Sequence, residues 1–165
     1  MEDNFDIISW IFNEKRAWLL RFNKESEWIE NSEMGEGFFS KLHRQPGNPL
    51  KLFALRLDGI YIAAALCLVS HKSLEYFVTT YSMAGTWDRF SPGMLVSEDC
   101  ARWACENGLD LDFRALDVPY KHRWASSTKS RVTISAAFSP MGVLRLWIQT
   151  LKVNVRRRLE SIKRE

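Results

Sequence analysis

Several things are missing from this chain of 165 residues, and each absence removes a class of protein. Three cysteines, Cys67, Cys100 and Cys105, make an odd number with no C-x-x-C pair, which argues against a disulfide framework, a zinc ribbon or a dithiol redox centre. They read as small buried hydrophobes in a reducing compartment. The longest apolar run, Ile60 to Val69, is about half of what a membrane crossing requires. The opening "MEDNFDIISW" is acidic ahead of its first apolar residues, the reverse of a secretory leader. No pair of histidines or carboxylates has metal-ligand spacing, so no metal is expected. Internal repeats and low-complexity segments are absent too. What remains is one soluble, cytoplasmic domain over residues 1–165, long enough to bury a core.

What is present is aromatic and unevenly charged. Seven Trp, ten Phe and four Tyr point to a folded chain. The net charge of +3 is concentrated at the end, where residues 141–165 hold seven Lys/Arg against two Glu, so the rest is slightly acidic.

Periodicity then sets an order of elements. Ile7, Ile11, Trp18, Leu19 and Phe22 recur at helical spacing, and Trp28, Ile29, Phe38, Phe39 and Leu42 do so less cleanly around Gly35 and Gly37. This helical part, residues 1–44, ends in "RQPGNPL". "KLFALRL" alternates, with Phe53, Leu55 and Leu57 on one face, and Asp58-Gly59 signals a hairpin into "IYIAAALCLV". That second run is apolar on both faces, which predicts a central strand. "LEYFVTTY" (74–81) predicts a third antiparallel strand. Ser91 is placed to cap a helix with Pro92 in its first turn, closed by Gly108, with Val96, Cys100, Trp103 and Ala104 on one face. "LDLDFRA" (109–115) predicts a strand with Leu109, Leu111, Phe113 and Ala115 inward, and its place after a helix predicts a parallel crossover. After an irregular or briefly helical stretch, "RVTISAAF" (131–138) predicts a last strand closing a sheet-and-crossover part over 51–138. A basic amphipathic helix follows over 143–165, striped by Leu144, Trp147, Ile148, Leu151, Val155, Leu159 and Ile162. The fold class is α/β of the α+β kind: an antiparallel meander, then a β-α-β crossover with a parallel pair, helices on both faces.

"DRFSPGMLV" (88–96) stands where strand direction changes, and in open sheets ligands bind there. A helix start offers unpaired N–H groups and a positive dipole end to a phosphate. Gly93 lets an anion approach the backbone, and Arg89 adds a charge.

Taken together, the helix pair, the meander with Asp58-Gly59, "SPGMLV", the amphipathic helix and "LDLDFRALDVPYKHRW" resemble the GNAT acyltransferase superfamily, in its CelD-like branch linked to bacterial polysaccharide biosynthesis. The resemblance covers roughly residues 7 to 135. Its most specific parts are Ser91-Pro92-Gly93 with Leu95, and Asp112-Phe113 with Tyr120-Lys121 and Trp124. It implies two parallel strands that splay apart, an acyl-CoA (acetyl-CoA first) whose pantetheine pairs with the earlier strand at Thr79, Thr80 and Tyr81, and a pyrophosphate at Arg89, Ser91, Pro92, Gly93, Met94 and Leu95. Tyr120 would serve as acid for the departing thiolate. Asp88 is the candidate base ahead of Glu75, Asp112 and Asp117, and against the plainer reading of a turn residue. Asp112, Lys121 and Trp124 would meet the acceptor, an amine of a small molecule or amino sugar. His122, His71 and His43 are weaker acid–base candidates.

The pattern departs from the superfamily in its glycine-poor loop, of which Arg89 and Gly93 remain, and in Arg114-Ala115-Leu116, where the branch tends to have glycines. The expected activity is N-acyl, first N-acetyl, transfer by direct attack. Alternatives are a non-catalytic GNAT-like binding module, half of a two-domain enzyme, or a Fem-type aminoacyl transferase using charged tRNA. Expected partners are the acceptor, an anionic membrane surface through the C-terminal helix, and a homodimer or partner domain; the acidic body argues against nucleic acid.

Overall fold

The computed structural model describes residues 4–114, 119–122, 124–128, 134, 136–148, 150 and 151. Two compact units are present, Met1–Lys121 and His122–Glu165.

In the first unit a long helix α1 (Asn4–Arg21) is followed by α2 (Glu27–Glu30), one turn of π-helix (Glu33–Gly37) and α3 (Phe38–His43). The two pieces expected from periodicity are therefore one clean helix and one broken one. Gly35 explains the break: a Cβ there would collide with the Trp28 carbonyl and the Phe12 ring, so backbone and ring pack where a side chain would stand. Arg16 ties the pieces together, its Nε donating to Ile29 O (3.1 Å) and its Nη2 pairing with Glu36 (2.8 Å).

The sheet has order β1-β2-β3-β4, with β1 (Leu50–Leu57), β2 (Ile60–Val69) and β3 (Ser73–Tyr81) antiparallel and β4 (Asp110–Asp112) parallel to β3. Asp58 (φ 49°) and Gly59 (φ 79°) form the tight turn expected of Asp-Gly. Strand β2 is central, with Ile62 through Cys67 all buried. Its alternate residues feed two cores. Ala64 and Leu66 meet Ile8, Ile11 and Phe12 of α1, while Ala63, Ala65 and Cys67 meet Val96, Cys100 and Ala104 of α4 (Pro92–Glu106). Each large aliphatic side chain so enclosed contributes about 1.5–3 kcal/mol.

Strand β1 serves both cores. Phe53 and Leu55 pack on the α4 side as expected, but Leu57 is exposed and Leu50 and Leu52 pack on the α1 side. Strand β3 carries a bulge, because Leu66 pairs with Val78 while Cys67 pairs with Tyr76, leaving Phe77 extra. The bulge resets the alternation, so Tyr76 joins the α4 core and Val78 the α1 core.

Three expectations change. Strand β4 is Asp110–Asp112 rather than 109–115, because Arg114 turns into the left-handed region (φ 58°). Cys105 is exposed, on the outer face of α4, unlike the buried Cys67 and Cys100. Of the strand expected over 131–138, residues 131–133 and 135 lie outside the described residues. The described Ile134 and Phe138, expected inward, are 89% and 98% exposed and pair with no strand among the described residues. In the second unit a helix runs over residues 140–148, so Pro140 opens this helix and does not merely end a strand. Beyond 151 the basic helix lies outside the described residues, Val155, Leu159 and Ile162 included. No described helix is long and apolar enough to cross a membrane.

Candidate active site

The ladder between β3 and β4 covers Ser73 to Asp110, Leu74 to Leu111 and Glu75 to Asp112, and stops there. Strand β3 runs on to Tyr81, and beyond Glu75 no strand among the described residues pairs with that edge. The direction of the edge follows from the register. Ser82 N–H bonds to Ile62 O, so alternation turns the peptide groups of Thr80 toward β2 and those of Thr79 and Tyr81 away from it. Backbone donors and acceptors thus face the gap opened by the parting of β3 from β4.

A clasp holds the point of divergence. Arg114 Nη1 pairs with Glu75 Oε2 at 3.0 Å, and its guanidinium carbon lies 3.6 Å from the centre of the Phe77 ring. The left-handed φ of Arg114 is supported by its N–H bonding to Asp112 Oδ1 at 2.6 Å. Glu75, one of the candidate bases, is therefore occupied by an arginine. Where glycines were expected, Arg114 adopts their backbone conformation and uses its side chain to pin the two strands.

The start of α4 closes the other end. A 3₁₀ turn (Asp88–Phe90) leads into Ser91, which sits in the left-handed region (φ 50°, ψ 55°) and makes no side-chain cap bond, contrary to the expected capping. Met94 and Leu95 N–H both bond to the Ser91 carbonyl, and the Gly93 N–H meets no acceptor among the described residues. Gly93 lies against Tyr81 at the end of β3: a Cβ there would stand 3.6 Å from the Tyr81 ring. Ser97 Oγ bonds to Gly93 O and to the buried Tyr76 hydroxyl, both at 2.8 Å, tying the helix start to β3 from below. Neither Tyr76 nor Ser97 was singled out by sequence, since the bulge that turns Tyr76 toward α4 is seen only in the register of β2 and β3.

Of the candidate phosphate ligands, Arg89 is exposed, stacks on Phe90 at 4.6 Å and forms no ion pair among the described residues. Ser91 and Leu95 are exposed, Gly93 and Met94 half-buried, and Pro92 buried. Asp88 is exposed at the head of its turn, where its main-chain carbonyl accepts the Ser91 N–H. Thr80 is buried, and its Oγ1 has no hydrogen-bond partner among the described residues; Thr79 Oγ1 bonds to Ala64 O at 3.4 Å.

The acceptor group is split. Lys121 Nζ donates to Phe113 O at 2.8 Å and stands close enough to Asp112 to feel its charge. Partial burial pulls the Lys121 pKa below the ordinary lysine value, and Asp112 opposes the shift. Tyr120 falls on α5 (Pro119–His122), but its side chain lies outside the described residues, as does all of Asp117. Trp124 belongs to the second unit, its buried indole nitrogen without a hydrogen-bond partner among the described residues. His122 and His71 are exposed, and His43 sits on α3. Cys67 is not a nucleophile: its hydrogen bond with Cys100 (3.9 Å between sulfurs) and its burial raise its pKa far above the thiol range.

Among the described residues no three His, Cys, Asp or Glu side chains gather as metal ligands. A cavity of about 420 Å³ is lined by Phe38, Leu42 and Pro46 to Pro49, on the α3–β1 connection, and no residue of the β3 edge borders it. No strand among the described residues covers the β3 edge beyond Glu75, and what that edge presents is backbone.

A mixed sheet whose parallel pair parts beside a glycine-bearing helix start defines a class of fold, that of the acyl-CoA-dependent N-acyltransferases. Comparison with family models agrees, since the acetyltransferase (GNAT) domain matches residues 2–122, and the chain belongs to that family. Members of the family use acyl-CoA as co-substrate. Comparison with curated proteins and with solved structures returned no match.

Proposed function

We propose that this protein transfers an acyl group, acetyl first, from CoA to an amine of a small molecule or amino sugar, by direct attack. The observation that supports this best is the end of the β3–β4 ladder at Glu75–Asp112, with β3 continuing to Tyr81 beside Gly93. The Tyr81 peptide group and the Thr79 N–H would pair with pantetheine amides, the Thr79 carbonyl already accepting from Lys15 Nζ. The Gly93 N–H, the dipole of α4 and the Arg89 guanidinium would meet the pyrophosphate.

Asp88 would take the proton of the attacking amine and Tyr120 would supply one to the thiolate. Asp112 and Lys121, brought close together, would hold a charged acceptor; Trp124 stays an expectation of the sequence pattern. A cytoplasmic place in polysaccharide biosynthesis, and a basic tail resting on anionic lipid, belong to the same proposal. Titration calorimetry with CoA and acetyl-CoA tests it: binding that is lost in Arg89→Ala supports the reading, and no heat at millimolar ligand removes it.

A second reading, a GNAT-like module or half-enzyme that binds without turnover, is favoured by the poverty of the helix start. Met94 and Leu95 are already bonded to Ser91, so Gly93 offers one N–H where a glycine-rich loop would offer several. CoA binding with no acylated product in a mass-spectrometric screen of amines would establish this second reading.

A further inference from the structure

Lys15 lies on α1, on the opposite sheet face from α4, yet its Nζ reaches the edge of β3 and donates to Thr79 O at 3.2 Å. That carbonyl is one of those turned away from β2, so the amine stands at the gap between the strands. A second contact holds it there, on the Trp18 ring. The Trp18 ring lies 4.3 Å from Nζ and is shared with Lys24 at 4.8 Å, while the neighbouring Glu14 is held by the Met83 N–H at 2.9 Å. The residue is half-buried, with its amine at the β3 edge.

Resting on the acyl-CoA reading above, we propose that Lys15 is an acyl-accepting amine: with no external acceptor present, the domain transfers the acyl group of a bound thioester onto its own Lys15 Nζ. The neutral amine attacks the thioester carbon, a C–N bond forms, the C–S bond breaks with its pair leaving on sulfur, and the amine's surplus proton ends on the thiolate as CoA thiol. The products are Nε-acyl-lysine and CoA.

The surroundings favour both reactant and product. Burial and then the charge of Lys24 lower the Lys15 pKa to about 8, so a much larger share of this amine is neutral near pH 7 than of an ordinary lysine. Lys24 is the charged group facing it; from β3 it meets the Thr79 carbonyl. The amide product has no charge to desolvate and keeps one N–H for Thr79 O.

The full chain is incubated with acetyl-CoA and no amine, and the modified lysines are mapped by peptide mass spectrometry, with CoA affinity measured in parallel. The expected result is one acetyl group on Lys15. Its rate should rise about tenfold per pH unit and level off above pH 8, as the neutral fraction does. Lys15→Arg should abolish the modification while binding CoA. CoA binding with no acetylation, or with acetyl spread over Lys24, Lys41 or the exposed Cys105, overturns the proposal and leaves the acyl-CoA reading standing. Absence of CoA binding overturns both. Site mapping on the unaltered chain decides the matter even where a variant misfolds.

Discussion

Two helices in this chain begin with serine, proline and a nearby glycine, and they begin differently. At residues 139–142 the arrangement is conventional: Gly142 N–H bonds to Ser139 Oγ at 3.1 Å, and Val143 N–H to Ser139 O at 3.0 Å. At 91–93 the serine is twisted to φ 50°, its hydroxyl makes no cap bond, and the Gly93 N–H meets no acceptor among the described residues. A left-handed non-glycine residue costs about 1–2 kcal/mol, and an absent cap costs about 1 kcal/mol more. The same Ser-Pro start is spent on stability in one place and forgone in the other. Such a cost, met at the end of β3 and not relieved by any of the described residues, is what a site for an outside acceptor looks like.

The sharpest way to break this comparison is to give each glycine a carboxylate. Gly93→Asp should weaken CoA binding about a hundredfold, roughly 2.7 kcal/mol, while the melting temperature holds or rises, since an acid in the first turn suits the helix dipole. Gly142→Asp should leave CoA affinity unchanged. Equal effects from the two substitutions in titration calorimetry would mean that the open start of α4 has no ligand.

The next effect is on the support beneath. Ser97→Ala removes two 2.8 Å bonds at once, to Gly93 O and Tyr76 Oη. Denaturant unfolding should show a loss of about 1–3 kcal/mol, with CoA affinity falling as the helix start loses its tie to β3. A stable variant that binds CoA normally would show that α4 is held by its core face alone.

Much of this was legible before any coordinates. Asp58-Gly59 fixed one turn, the two-sided apolarity of residues 60–69 fixed the central strand, and Val96, Cys100 and Ala104 fixed the buried face of α4, because each is a local pattern with one physical solution. The parallel pairing of β3 and β4 followed from a strand, a helix and a strand in succession, and the parting of the two was what the family resemblance implied. What stayed hidden depends on contacts between distant segments. The bulge at Phe77 needs the register of β2, the Arg114–Glu75 clasp joins two strands, and Lys15 reaches β3 from a helix 64 positions away in sequence. Ser91 misled for a related reason: its residue type predicts a cap, and only the backbone angle reveals that the hydroxyl is not used for one.

The smaller effects test the two serines directly. Ser139→Ala should cost about 1 kcal/mol of local helix stability, read as faster hydrogen exchange at the Gly142 amide, because that amide loses its one side-chain acceptor.

Ser91→Gly should do the opposite. Glycine enters the left-handed region without the Cβ penalty, and no side-chain bond is given up, so unfolding free energy should rise by up to about 1 kcal/mol. The gain is bounded by the extra freedom glycine has in the unfolded chain. Ser91→Ala, which keeps the strain and removes only an unused hydroxyl, should be close to neutral. If it instead costs as much as Ser139→Ala does in its own helix, the hydroxyl of Ser91 is capping α4 in solution, and the contrast between the two starts disappears.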